Sequence, residues 1–142
     1  MKSVSNLLLT ATFLAAISAC ALADDLEKLA GKWTVNKTSE DGRKYSQALE
    51  IKKDKLTFKI LDESKEVRLY AEGTVKVEKL GPFSVMKVID IKAGQSESNV
   101  QPIDDERVNI YQLGYDTLTM ASNFDKERDQ KPVLDVYKKA DK

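Results

Sequence analysis

The side chains able to do chemistry here are carboxylates, lysines, arginines, tyrosines and one cysteine, because the 142 residues include no histidine. Without imidazole there is no Ser-His or Cys-His nucleophile pair, no histidine zinc site and no side chain that ordinarily titrates near neutrality. A Gly-x-Ser-x-Gly elbow and a phosphate-cradling glycine loop are also missing. Paired-carboxylate hydrolysis needs two acids held across a larger cleft than this chain suggests. The expectation is a protein that is not an enzyme and uses no cofactor.

Two acidic clusters raise the question of a metal: Asp104, Asp105 and Glu106 are consecutive, and Asp125, Glu127 and Asp129 alternate. Calcium takes six to eight oxygens in a shaped loop, and the EF-hand spacing with its glycine is absent. Both clusters therefore read as solvated loop charge, with no metal expected. Asn36-Lys37-Thr38 fits the glycosylation pattern but falls inside a strand, so it reads as chance.

Cys20 is the one thiol, and its setting is a targeting segment. Residues 1–23 carry Lys2, an apolar run from Leu7 to Ile17 and then small residues, the composition of a secretory signal. The run is shorter than the roughly 20 apolar residues of a membrane span. Ala21-Leu22-Ala23 offers a small-x-small cleavage site before Asp24, whereas Ile17-Ser18-Ala19-Cys20 resembles a lipobox whose cysteine is acylated. Soluble release to the periplasm or beyond and a lipid anchor at Cys20 both remain open. Either one exports the domain.

The rest of the chain, 24–142, suits one domain. Of the 23 basic and 23 acidic side chains, only Lys2 lies in the leader, so the remainder has a net charge of −1. Signs are interspersed, which argues against nucleic acid as a partner and leaves a membrane contact only through Cys20. With no other cysteine, the domain must be stable through its core alone.

Apolar residues recur with period two almost throughout. Strands are predicted over 32–38, 45–53, 56–60, 66–78, 84–92, 106–113, 117–122 and 133–138, with at most a turn over 24–29. Gly73 inside the long fourth strand and a change of apolar parity between Val88 and Ile89 predict bulges. The polar stretch from Ala93 to Asp105 reads as the longest loop. Eight short strands with tight turns predict an all-β fold, and closure into an up-and-down barrel removes exposed edges.

Gly31-Lys32-Trp33 opens the first strand and looks like the Gly-x-Trp signature of lipocalins. With Glu40-Asp41-Gly42, Asp54-Lys55-Leu56-Thr57-Phe58, Glu72-Gly73-Thr74-Val75-Lys76, Ile89-Asp90-Ile91 and Ile110-Tyr111-Gln112-Leu113 leading to Asp116-Thr117-Leu118-Thr119, the chain resembles a bacterial lipocalin-like domain family of unknown function found largely in planctomycetes. The resemblance spans about Leu26 to Lys139. It departs at Asn109, where the family tends to have glycine, at Tyr115, which interrupts a Gly-Asp turn, and in the loop from Asp125 to Lys131. It implies an eight-stranded lipocalin-like (calycin-type) barrel with Trp33 plugging one end. Lipocalins often place an arginine of the last strand over that tryptophan, and here only Lys138 and Lys139 stand near the chain's end.

Two functions follow as expectations. A binding module would take a small apolar ligand into the barrel mouth, lined by Leu49, Ile51, Phe58, Met86, Tyr111, Met120 and Val136. Alternatively the barrel is filled, as small barrels often are, and serves as an envelope interaction or structural module whose loops contact another protein.

Overall fold

A computed structural model describes residues 24–140; the expected signal segment, 1–23, with Cys20, lies outside the described residues. The strands are β1 (Gly31–Thr38), β2 (Lys44–Lys52), β3 (Lys55–Asp62), β4 (Val67–Leu80), β5 (Phe83–Ser96), β6 (Asn99–Pro102), β7 (Arg107–Leu113), β8 (Thr117–Ser122) and β9 (Val133–Lys139). All pairings are antiparallel and run in the order β1, β2, β3, β4, β5, β7, β8, β9 and back to β1, an eight-stranded closed barrel. β6 is a ninth strand that pairs with the far half of β5.

Alternation supplies the core. Trp33, Leu49, Ile51, Leu56, Val75, Val77, Met86, Val88, Ile91, Tyr111, Leu118, Met120 and Tyr137 are buried and join Leu29 in one cluster. Leu29 belongs to a short helix, α1, over residues 24–29, where at most a turn was expected. Six residues cannot hold a helix on propensity alone. Tertiary packing decides it: Leu29 is fully buried beneath the barrel end, and Trp33 Nε1 donates to its carbonyl at 2.9 Å.

The long β4–β5 ribbon bends where the sequence suggests. Glu72 faces Lys92 and Thr74 faces Ile89, so Gly73 stands opposite two residues, Asp90 and Ile91. The extra residue is Asp90, with φ of 52°, one place beyond the expected parity change. Gly73 is required by contact, since a Cβ there would lie 2.7 Å from Val88 Cγ1 and 3.0 Å from the Ile89 carbonyl oxygen.

Beyond this bulge the expected long loop is instead a hairpin. β5 continues to Ser96 and β6 returns from Asn99, with only Glu97 and Ser98 between them. Its residues lack apolar alternation, and none of residues 92–102 is buried.

Candidate functional site

The barrel has unlike ends. At the closed end stand α1, Trp33 and the turns after β2, β4 and β7. The open end carries the turns after β1 and β3, the β5–β6 hairpin, residues 103–106 and the loop 123–132.

β1 and β9 share only two paired positions, Trp33 with Lys139 and Thr34 with Lys138, whereas β1 and β2 share eight. Toward the open end their ladder stops and side chains bridge instead. On β1 the burial pattern places Trp33, Val35 and Lys37 inward; on β9 it places Val133, Asp135 and Tyr137 inward. Lys37 Nζ meets both oxygens of Asp135, at 2.9 and 3.0 Å, with the side chains 21% and 14% exposed. Below this pair the Tyr137 hydroxyl donates to Gln47 Oε1 at 2.8 Å. Burial pushes that hydroxyl's pKa well up, with the nearby Asp135 charge adding to the shift, so it stays a protonated donor.

Opposite, Phe58 and Ile60 on β3 face Leu49 and Gln47. Phe58 is half-buried against the core, and Leu69, paired with Ile60, is 37% exposed. The open end thus presents a partly wetted apolar wall and an inward ion pair.

The expected lining residues divide accordingly. Leu49, Ile51, Met86, Tyr111 and Met120 are buried in the packed core, and Phe58 borders the mouth. Val136 is a correction: it is 49% exposed on the outer face, because the inward positions of β9 are Val133, Asp135 and Tyr137. Alternation in this strand is obscured by apolar residues on both faces.

Two solvent-open clefts lie at the open rim. One, of about 530 Å³, is lined by Lys37, Thr38, Tyr45, Asp62 and Lys65 among others. The other, of about 740 Å³, runs past Asp41, Arg43, Glu63 and Arg68. Both are lined mostly by polar and charged residues.

Part of each acidic cluster is held by cations. Asp105 and Asp125 converge on Arg128, at 2.7 and 2.9 Å, and the Arg128 side chain is only 7% exposed. Arg128 Nη2 also donates to the Glu106 carbonyl at 2.9 Å, and Lys126 and Arg107 reach Asp105. These contacts strap loop 123–132 to residues 105 and 106. The Lys126 hydrogen bond, aided by Arg128 and opposed by burial, holds the Asp105 carboxyl far below its ordinary range. Arg128 does the same to Asp125, by a lesser shift. Glu106 pairs with Lys87 at 3.0 Å. Asn109, the departure from glycine, faces inward from β7 and donates to the Met86 carbonyl at 3.3 Å. Among the described residues no buried side-chain polar atom lacks a hydrogen-bond partner.

Comparison with protein-family models, with characterised proteins and with solved structures gives no match. The barrel's own geometry has to carry the function.

Proposed function

We propose that this is an exported, lipocalin-like binding domain that takes a small ligand at the mouth opposite Trp33. The observation that carries this reading is the inward Lys37–Asp135 pair. Burying both charges costs more than an apolar pair of the same volume in many proteins, so such a pair is a poor device for filling a barrel. It does suit a site that must receive a polar group. With Phe58, Ile60 and Leu69 along the wall, the ligand class is amphipathic: a short apolar body lying on those residues and a polar head exchanging hydrogen bonds with Lys37 or Asp135. Burial of Leu49, Ile51, Met86, Tyr111 and Met120 keeps it shallow.

The test is ligand-dependent stability. A ligand that binds only the folded state raises stability by about 2.7 kcal/mol at a hundredfold excess over Kd, a melting shift of several degrees. Short-chain fatty acids, acyl amides, isoprenoid alcohols and envelope lipid extracts are the screen. Phe58→Trp, which overfills the wall, should remove the shift while the variant stays folded. No shift with any of them would favour the alternative, a ligand-free interaction module. Leu134 and Val136, exposed at 69% and 49% on the outer face of β9, are the observation on that side.

A further inference from the structure

We infer that the closed end of the barrel is a lipid-contacting surface, seated on a membrane by the turns after β4 and β7. Tyr115 stands in the three-residue turn between β7 and β8 and is 98% exposed. The neighbouring turn is Leu80-Gly81-Pro82-Phe83, where Leu80 is 60% and Phe83 52% exposed. β5 and β7 are paired, with Ser84 facing Tyr111, so the two turns project side by side from the same end. Three large apolar or amphipathic side chains thus stand on convex tips. Such tips form no groove that a peptide could fill, and a fluid interface accommodates them without a matching shape. Tyrosine is well suited to the boundary, having an apolar ring and a polar tip.

Two further observations select lipid. The chain enters the barrel at this end: Lys79 Nζ, beside Leu80, lies 3.5 Å from Asp25 Oδ2 in α1. The segment that precedes α1, with its apolar run and Cys20, therefore joins the domain on the same side as the exposed tips. Charge is also polarised. At the closed end the exposed lysines outnumber the exposed acids Asp24, Glu27, Asp54, Glu78 and Asp116, whereas at the open end the exposed acids outnumber the exposed cations Arg43, Lys44, Lys65, Arg68, Lys126 and Lys131. Anionic headgroups attract the first end and repel the second. The mouth then points away from the membrane, and the contact works with or without an acyl chain at Cys20.

The experiment expresses the full chain with Cys20→Ala, which leaves only the Ala21-Leu22-Ala23 site for cleavage, so that no acyl group contributes. Flotation with phosphatidylcholine vesicles, plain and doped with phosphatidylglycerol, should show partitioning that strengthens with the anionic lipid. Leu80→Ser, Phe83→Ser and Tyr115→Ser combined should lower it by at least about tenfold, from the apolar area withdrawn, with melting and Trp33 emission unchanged. Leu134→Ser with Val136→Ser, which removes exposed apolar area away from this end, should leave it intact. Tyr115→Trp should gain blue-shifted emission and quenching by brominated lipid that the parent Trp33 lacks. The inference is overturned if the parent does not partition, if the Leu134 and Val136 pair lowers binding as much, or if residue 115 stays water-exposed on vesicles. It also falls if the tips instead drive concentration-dependent dimerisation that the triple variant abolishes.

Discussion

Lys139 Nζ lies 5.3 Å from the centroid of the Trp33 ring, and the two residues face each other across the β1–β9 ladder. The cation expected from an arginine is thus supplied by a lysine. Its approach explains the glycine two residues before the tryptophan: Gly31 has φ of 127°, which side chains with a Cβ rarely adopt, and a Cβ there would lie 3.3 Å from Lys139 Cε. Gly31 admits the lysine stem and Trp33 receives its charge. Trp33→Ala should therefore destabilise by about 3 to 5 kcal/mol, through loss of a packed ring. Lys139→Ala should cost no more than about 1 kcal/mol, the range of an exposed cation–π contact. Urea unfolding of the two variants separates the effects, and a parent emission that is red-shifted and freely quenched would contradict the burial.

Gly73 makes a second, more local prediction. Gly73→Ala brings a methyl against Val88 Cγ1 at 2.7 Å inside the core, and overpacking of this kind costs about 1 to 3 kcal/mol. Val88→Ala alone also destabilises, by emptying volume. Combined, the two should cost clearly less than their sum, because the second change removes the clash created by the first. Strict additivity would show that Gly73 is needed for backbone conformation and not for space.

Closure, strand order and the Gly73 bend were legible because each is written in period-two alternation or in a residue with special backbone behaviour. The β5–β6 hairpin was not, since its ribbon leaves the core and no apolar period marks it. α1 was hidden for the opposite reason: six residues carry too little pattern, and the helix exists only because Leu29 has a barrel end to plug. The mouth was half legible. Lys37 follows Trp33 and Val35 at the inward spacing, but a lysine there reads as a strand end until β9 is known to bring Asp135 beside it, 98 residues away. Val136 was misplaced by the same strand, where a charged residue occupies the inward register and two aliphatic ones face out.

The strap of loop 123–132 gives a pH dependence with a definite sign. Asp105 and Asp125 both titrate lower in the folded protein than unfolded. The stability they contribute is complete above the unfolded carboxylate range near about 3.9 and fades as pH falls through the lower folded values. Arg128→Met takes from Asp125 its main partner and from Asp105 one of three cations, Lys126 and Arg107 remaining, at a cost of up to about 3 kcal/mol near neutral pH. Protonation relieves that repulsion and desolvation, so the gap between parent and variant should narrow in strong acid. Urea unfolding at neutral pH and at about pH 3 measures it; a gap that is constant or widens would mean that Arg128 acts by packing alone.

The mouth pair allows the sharpest separation of fold from function. Lys37→Met by itself leaves Asp135 inward, 14% exposed and without its cation, and Asp135→Leu strands Lys37 in the same way. Each single change should cost about 3 kcal/mol, the lower end for breaking a buried pair, since neither side chain is wholly dry. Lys37→Met with Asp135→Leu removes both charges and supplies apolar volume. The double variant should be near the parent in stability or gain about 1 kcal/mol or more, as buried pairs replaced by apolar residues often do. Urea unfolding gives the coupling, and ligand-dependent melting of the same double variant gives the function. A barrel that tolerates or prefers the apolar pair yet no longer responds to an amphipathic ligand has kept Lys37 and Asp135 for binding. If the double variant is instead as unstable as the singles and still responds to ligand, the pair is a staple across the short β1–β9 ladder, and the polar head must be received elsewhere on the rim.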